Sequence, residues 1–177
     1  MWACEHSGVK PDIMTSAKGL GSGMPIGAIV ARKTIMEQWK RGAHGNTFGG
    51  NPLSCAAAIA TLDLVQSEYA ANAARVGEHF MGRLREMQRD YPCIGEVRGR
   101  GLMIGMELIE NDAERTPARA LCDRLVTRGY HNGLLLLSCG VSTLRFMPPL
   151  STTIAEIDEA IGLLRNSLDE ALQGKGA

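Results

Sequence analysis

Apolar residues recur at helical spacing in some stretches of this chain and alternate or run together in shorter ones, which separates its helices from its strands. Residues 12–15 form a short extended run, and residues 26–31 a second apolar one. Asn51-Pro52 opens a helix, with asparagine as N-cap and proline at the first helical position. An alanine-rich stretch to about residue 66 follows, with Leu53, Ala57, Ala60 and Leu64 at helical spacing. A second helix is predicted over 72–90, where Val76, Phe80, Leu84 and Met87 make one apolar stripe and Arg83, Arg85 and Arg89 a solvated side. Tyr91-Pro92 stops it. Beyond Pro92 the period changes: 94–98 and 102–108 read as strands around a Gly99-Arg100-Gly101 turn, 111–116 as a polar loop and 117–128 as a helix. Residues 134–138 and 144–147 are predicted as two more strands. Thr153 and Glu156 have capping-box spacing and open a last helix, with Ile154, Ile157, Ile161, Leu164 and Leu168 as its buried stripe. Residues 174–177 are expected to fray. The pattern describes two units: the tail of a larger α/β domain to about residue 70, then a compact α+β domain.

Composition narrows the function classes. Nineteen basic and nineteen acidic side chains give a formal charge of zero, which favours neither nucleic acid nor an anionic membrane surface as partner. No apolar run approaches a membrane span. The five cysteines (4, 55, 93, 122 and 139) are an odd number without a CxxC pair, and are expected to be reduced, buried thiols of a cytoplasmic protein. The four histidines are scattered, and no metal site is expected. The glycine-rich segments 19–23 and 99–101 supply neither a GxGxxG between strand and helix nor a GxxxxGK[ST], so nucleotide binding is a poor reading.

Two cations stand out. Lys18 is delivered by the extended run into a bend containing Gly19, Gly21, Gly23 and Gly27. Among Ala, Gly and Ser its amine is expected to be desolvated, which favours the neutral, nucleophilic form that lysines use to bond carbonyls. The plain alternative is a surface lysine in a turn. Arg145 lies in an otherwise apolar strand ended by Pro148-Pro149. Its guanidinium keeps its charge, so it needs an anionic partner, either an internal Asp or Glu or the carboxylate of a ligand.

The segment from Pro11 through Lys18-Gly19-Leu20-Gly21 to Pro25-Ile26-Gly27-Ala28, followed by His44-Gly45-Asn46-Thr47-Phe48-Gly49-Gly50-Asn51-Pro52, resembles the core of the class III aminotransferases, which use pyridoxal phosphate. Glu5-His6 with Gly8, Val9, Pro11 and Asp12 matches the approach to the lysine. Val97-Arg98-Gly99 with Gly101-Leu102-Met103, Gly105 and Glu107-Leu108 is similar to the entry to that family's C-terminal domain. Residues 134–140, then Leu144-Arg145-Phe146 and Pro148-Pro149-Leu150, resemble its late arginine segment.

The resemblance implies an α/β protein: the C-terminal part of a fold-type I pyridoxal-phosphate-dependent transferase. Residues 1–70 would be the end of the large cofactor-binding domain and 71–177 the small α+β domain. It implies Lys18 as the catalytic residue that carries the cofactor covalently, and Thr47 as a bond to the cofactor phosphate of the neighbouring subunit of a homodimer. It implies Arg145 as the holder of the substrate carboxylate. Amino and oxo acids would be the substrates, 4-aminobutyrate first, with ornithine or acetylornithine as alternatives. The family's phosphate-binding turn, its ring-stacking aromatic and the acid that pairs with the pyridine nitrogen have no counterpart here, so the 177-residue chain is expected to be a fragment, inactive alone. The rival of another class is a non-catalytic module that dimerises or binds a partner.

Overall fold

The computed structural model describes residues 1–110 and 114–174; the polar loop expected at 111–116 and the fraying expected at 174–177 fall partly outside them. The chain divides into two compact units, Met1–Tyr69 and Ala70–Ala177.

The first unit is a β-ribbon followed by helix. β1 (Ile13–Ser16) pairs antiparallel with β2 (Ala28–Ala31), Ile13 opposite Ala31 and Ser16 opposite Ala28. A 3-10 turn, Lys18–Gly21, leaves β1, and a short α1 (Lys33–Met36) follows β2. α2 (Pro52–Leu64) begins as its sequence signals require: the Asn51 side chain accepts from the Ser54 N–H, and Pro52 occupies the first position. A π-helical stretch, Val65–Tyr69, completes the unit. Two strands cannot bury a face, and the only buried residues described in this unit are Gly21, Ser54 and Ala58. The α2 stripe is therefore uncovered: Leu53 is 67% and Leu64 42% exposed, and Ile59 beside them 62%.

The second unit has a proper core. β3 (Ile94–Arg100), β4 (Met103–Leu108), β5 (Leu137–Cys139) and β6 (Thr143–Phe146) form an antiparallel sheet in the order β3-β4-β6-β5. Ile104 and Met106 pair with Phe146 and Leu144, and all four are buried. They meet the predicted stripe of α3 (Ala70–Asp90), namely Val76, Phe80, Leu84 and Met87. α4 (Arg119–His131) adds Leu121, Cys122 and Leu125, and α5 (Ile154–Leu172) adds Ile157, Ile161, Leu164 and Leu168. Ile154, expected within the stripe, is only half-buried, packed against the edge of the core from the first turn of α5. The capping box closes both ways: Glu156 N–H donates to Thr153 Oγ1 at 3.3 Å, and the Thr153 N–H donates to Glu156 Oε2 at 2.8 Å.

The strands depart from expectation in two places. Gly99 and Arg100 belong to β3 rather than to the turn, since Gly101, at φ +53°, lets a two-residue connection suffice. Gly99 is needed there: a Cβ on it would lie 2.4 Å from the Met103 carbonyl oxygen. Residues 134–136 are not strand. The Leu134 N–H donates to the Gly129 carbonyl at 2.7 Å, and the absence of a Gly129 side chain lets this segment lie against the end of α4.

Candidate functional site

Lys18 occupies a strained backbone position. Its φ of +51° is left-handed, unusual for a residue with a side chain. The bend after it is closed by short backbone bonds, Leu20 N–H to the Ala17 carbonyl at 3.1 Å and Met24 N–H to the Gly21 carbonyl at 3.0 Å. It is also tied to α2, since Ser22 Oγ and Thr61 Oγ1 share a hydrogen bond of 2.9 Å. Packing fixes Gly21, where a Cβ would meet Ile26 Cγ2 at 2.7 Å, whereas Gly19 and Gly23 face open space. Among the described residues Lys18 has no ion pair and no side-chain hydrogen bond. The desolvation expected of its amine is not present: Lys18 is exposed.

Thr47 is exposed on a turn in which Gly49 N–H donates to the Asn46 carbonyl at 3.2 Å. A hollow of about 460 Å³ in the same unit is lined by Thr15, Ser16, Gly27, Trp39, His44 and Asn46, among others. Lys18 and Thr47 share this unit, but neither lines that hollow. Trp39, His44 and Asn46 give no periodic signal in the sequence, and only folding brings them to the β-ribbon.

Arg145 lies in the second unit. Strand alternation puts it on the face opposite Leu144 and Phe146, between Gly105 of β4 and Leu137 of β5. It lines a hollow of about 250 Å³ walled by Phe80, Leu134, Leu136, Met147, Pro148 and Leu164 with their neighbours. Its Nε is buried with no hydrogen-bond partner among the described residues. Other arginines of the unit have acids to hand, such as Arg98 with Glu96 at 2.8 Å and Arg165 with Asp90 at 2.8 Å. A buried guanidinium nitrogen in an apolar wall favours an acceptor beside it.

The cysteines are all free, but only Cys122 is buried; the other four are half-buried. Burial pushes the Cys122 thiol up to about 11, which leaves it protonated and inert at neutral pH. Among the described residues no group of three His, Cys, Asp or Glu is placed to hold a metal, and no helix is long and apolar enough to cross a membrane.

Comparison with known proteins gives a consistent picture. The family model "Aminotransferase class-III" matches residues 1–168. An acetylornithine aminotransferase of Caldanaerobacter subterraneus subsp. tengcongensis is 43% identical over 171 residues, 96% of this chain and 41% of that protein. The 5-aminovalerate aminotransferase DavT of Pseudomonas aeruginosa is 36% identical over 96% of this chain and 40% of its own length. Among solved structures, the acetylornithine aminotransferase of Elizabethkingia anophelis superposes with a TM-score of 0.82 at 34% identity, over 95% of this chain and 41% of that one. The ornithine aminotransferase of Toxoplasma gondii gives 0.83 at 35%, over 97% and 40%. The chain thus spans about 40% of the length of the relatives it matches.

Proposed function

Because this chain belongs to the class-III aminotransferases, we propose that the protein it comes from moves an amino group between an ω-amino acid and an oxo acid such as 2-oxoglutarate, using pyridoxal phosphate held by Lys18. The observation that carries this reading is Lys18 itself: an amine in a left-handed backbone conformation, beside glycines with open space. Strain of this kind persists where the surrounding structure imposes it, and it marks functional positions. The residues suit the group: Lys18 offers a primary amine for an aldehyde, Gly19 and Gly23 leave room for a ring, and Thr47 offers a hydroxyl for a phosphate. Residues 1–70 would be the end of the large domain and 71–177 the small one, in a cytoplasmic homodimer in which Thr47 serves the neighbouring subunit.

Bound pyridoxal phosphate supplies an electron sink for the carbon next to the substrate nitrogen. The chain's own groups do the rest. Lys18 Nζ would be the covalent anchor of the group and, when free, the base that takes the proton from that carbon, which requires the amine to be uncharged. The fork of Arg145 would hold the substrate carboxylate.

As to substrate, the sequence motifs resemble 4-aminobutyrate aminotransferases most. Relatives are named for acetylornithine and 5-aminovalerate, which supports a chain with a terminal amine and puts acetylornithine ahead of 4-aminobutyrate. The test is a panel of acetylornithine, ornithine, 5-aminovalerate and 4-aminobutyrate with 2-oxoglutarate, scored by glutamate formed by the full-length protein. Turnover of at least one is expected. The 177-residue chain alone, given pyridoxal phosphate, is expected to form none. No turnover of any donor by the full-length protein would favour the non-catalytic partner-binding module, for which the uncovered apolar residues of α2 speak.

A further inference from the structure

Thr47 is carried by residues 37–51, a stretch without helix or strand between α1 and α2, yet that stretch is pinned at both ends. At its entry the rings of Trp39 and His44 stack, with centroids 5.5 Å apart and planes 20° from parallel. The backbone between them closes a turn, in which the Ala43 N–H donates to the Lys40 carbonyl at 3.0 Å and Gly42 sits at φ +80°. At its exit Asn51 uses both ends of its amide: Nδ2 donates to the Phe48 carbonyl at 3.0 Å, while Oδ1 accepts from the Ser54 N–H at 2.9 Å. The turn that presents Thr47 lies between these anchors. A Cβ on Gly49 would lie 3.0 Å from the end of the Asn46 side chain.

Flexible loops lose conformational entropy when a ligand orders them, and that loss is subtracted from affinity. A loop already ordered avoids it. Asn51 is tied to α2 and orders the exit by ordinary capping. At the entry, Gln38 N–H and Trp39 N–H donate back to the Ile35 and Met36 carbonyls, and Gln38 Nε2 to the Thr34 carbonyl. The ring stack is the side-chain contact that carries this order on to His44. Offset aromatic contacts favour a particular mutual placement beyond the area they cover. Trp39 and His44 also line, with Thr15 and Ser16, one hollow, so the stack faces the strand that ends two residues before Lys18.

We propose that His44, stacked on Trp39, is a positioning residue that presets the Thr47 turn for the phosphate of the cofactor. This rests on the assignment of Thr47 made above. His44 would touch neither cofactor nor substrate, and would act only through Thr47.

The test uses the full-length apoprotein and its dissociation constant for pyridoxal phosphate by equilibrium dialysis, with the thermal midpoint of each apoprotein alongside. Thr47→Ala is the reference and should weaken binding. His44→Ala should weaken it roughly tenfold, within the range known for displaced positioning groups, and His44→Phe, which keeps a ring on Trp39, should restore most of that. In the Thr47→Ala background His44→Ala should cost little more, since its effect has nowhere else to act. The apoprotein midpoints of His44→Ala and His44→Phe should agree. If Thr47→Ala weakens binding while His44→Ala does not, or if the two losses simply add, the positioning role is wrong and the Thr47 assignment stands. If Thr47→Ala leaves binding unchanged, both fall.

Discussion

Lys18→Ala in the full-length protein should reduce transamination by more than any other single change to this chain. Loss of a general base alone costs roughly 10²–10⁴-fold in rate, and the same substitution removes the covalent anchor. The two losses fall on one nitrogen, so an added small amine such as methylamine should return part of the proton transfer and none of the anchoring. Stability should move in a different direction. Lys18 holds φ +51°, a conformation that glycine adopts without strain and alanine does not. Lys18→Gly should therefore be at least as stable as the parent and more stable than Lys18→Ala, while both are equally inactive. Activity from a first-order assay and thermal midpoints from the same preparations check this. A Lys18→Gly protein that turns over at the parent rate would remove the lysine from the chemistry.

Arg145→Ala should come next in size. With Nε buried and unpartnered among the described residues, the half-buried guanidinium has no internal acid paired with it there. A substrate carboxylate would complete it. Removing one partner of such a buried pair costs roughly 2–5 kcal/mol, to be read as weaker binding of both amino acids and oxo acids. Arg145→Lys should recover only part, because an ammonium is a point charge and cannot offer two parallel donors. Amines without a carboxylate should be hardly affected. Were Arg145 only a structural cation, its loss would lower the thermal midpoint and impair every substrate alike, and steady-state constants for an amino acid and a plain amine, measured side by side, separate the two outcomes.

Much of the second unit is legible from its residues, because its helices carry both a stop signal and an amphipathic stripe. Val76, Phe80, Leu84 and Met87 fall on one face and are buried together, and Thr153 with Glu156 marks the start of α5. What periodicity omits is whether anything covers a face. Leu53 and Leu64 have the spacing of a buried stripe and stand exposed, and Lys18 has the neighbours of a desolvated amine yet is open. Both belong to a unit whose two strands cannot shield them. Local spacing was also silent on close approach: Gly129 and Gly99 redraw the ends of β5 and β3 through contacts with segments several residues away. For the candidate site, the residues with distinctive charge, Lys18 and Arg145, were visible in the sequence, since a lone cation among apolar or small residues demands an explanation. The Trp39–His44 stack was not, because two rings five positions apart in an aperiodic stretch match no helix or strand template.

The central claim is that Lys18 carries pyridoxal phosphate, and the most direct measurement is borohydride reduction of the cofactor-loaded full-length protein followed by peptide mass mapping. The pyridoxyl mass should appear on the peptide containing Lys18 and on no other. A label on Lys10 or Lys33 with Lys18 unmodified would contradict the assignment.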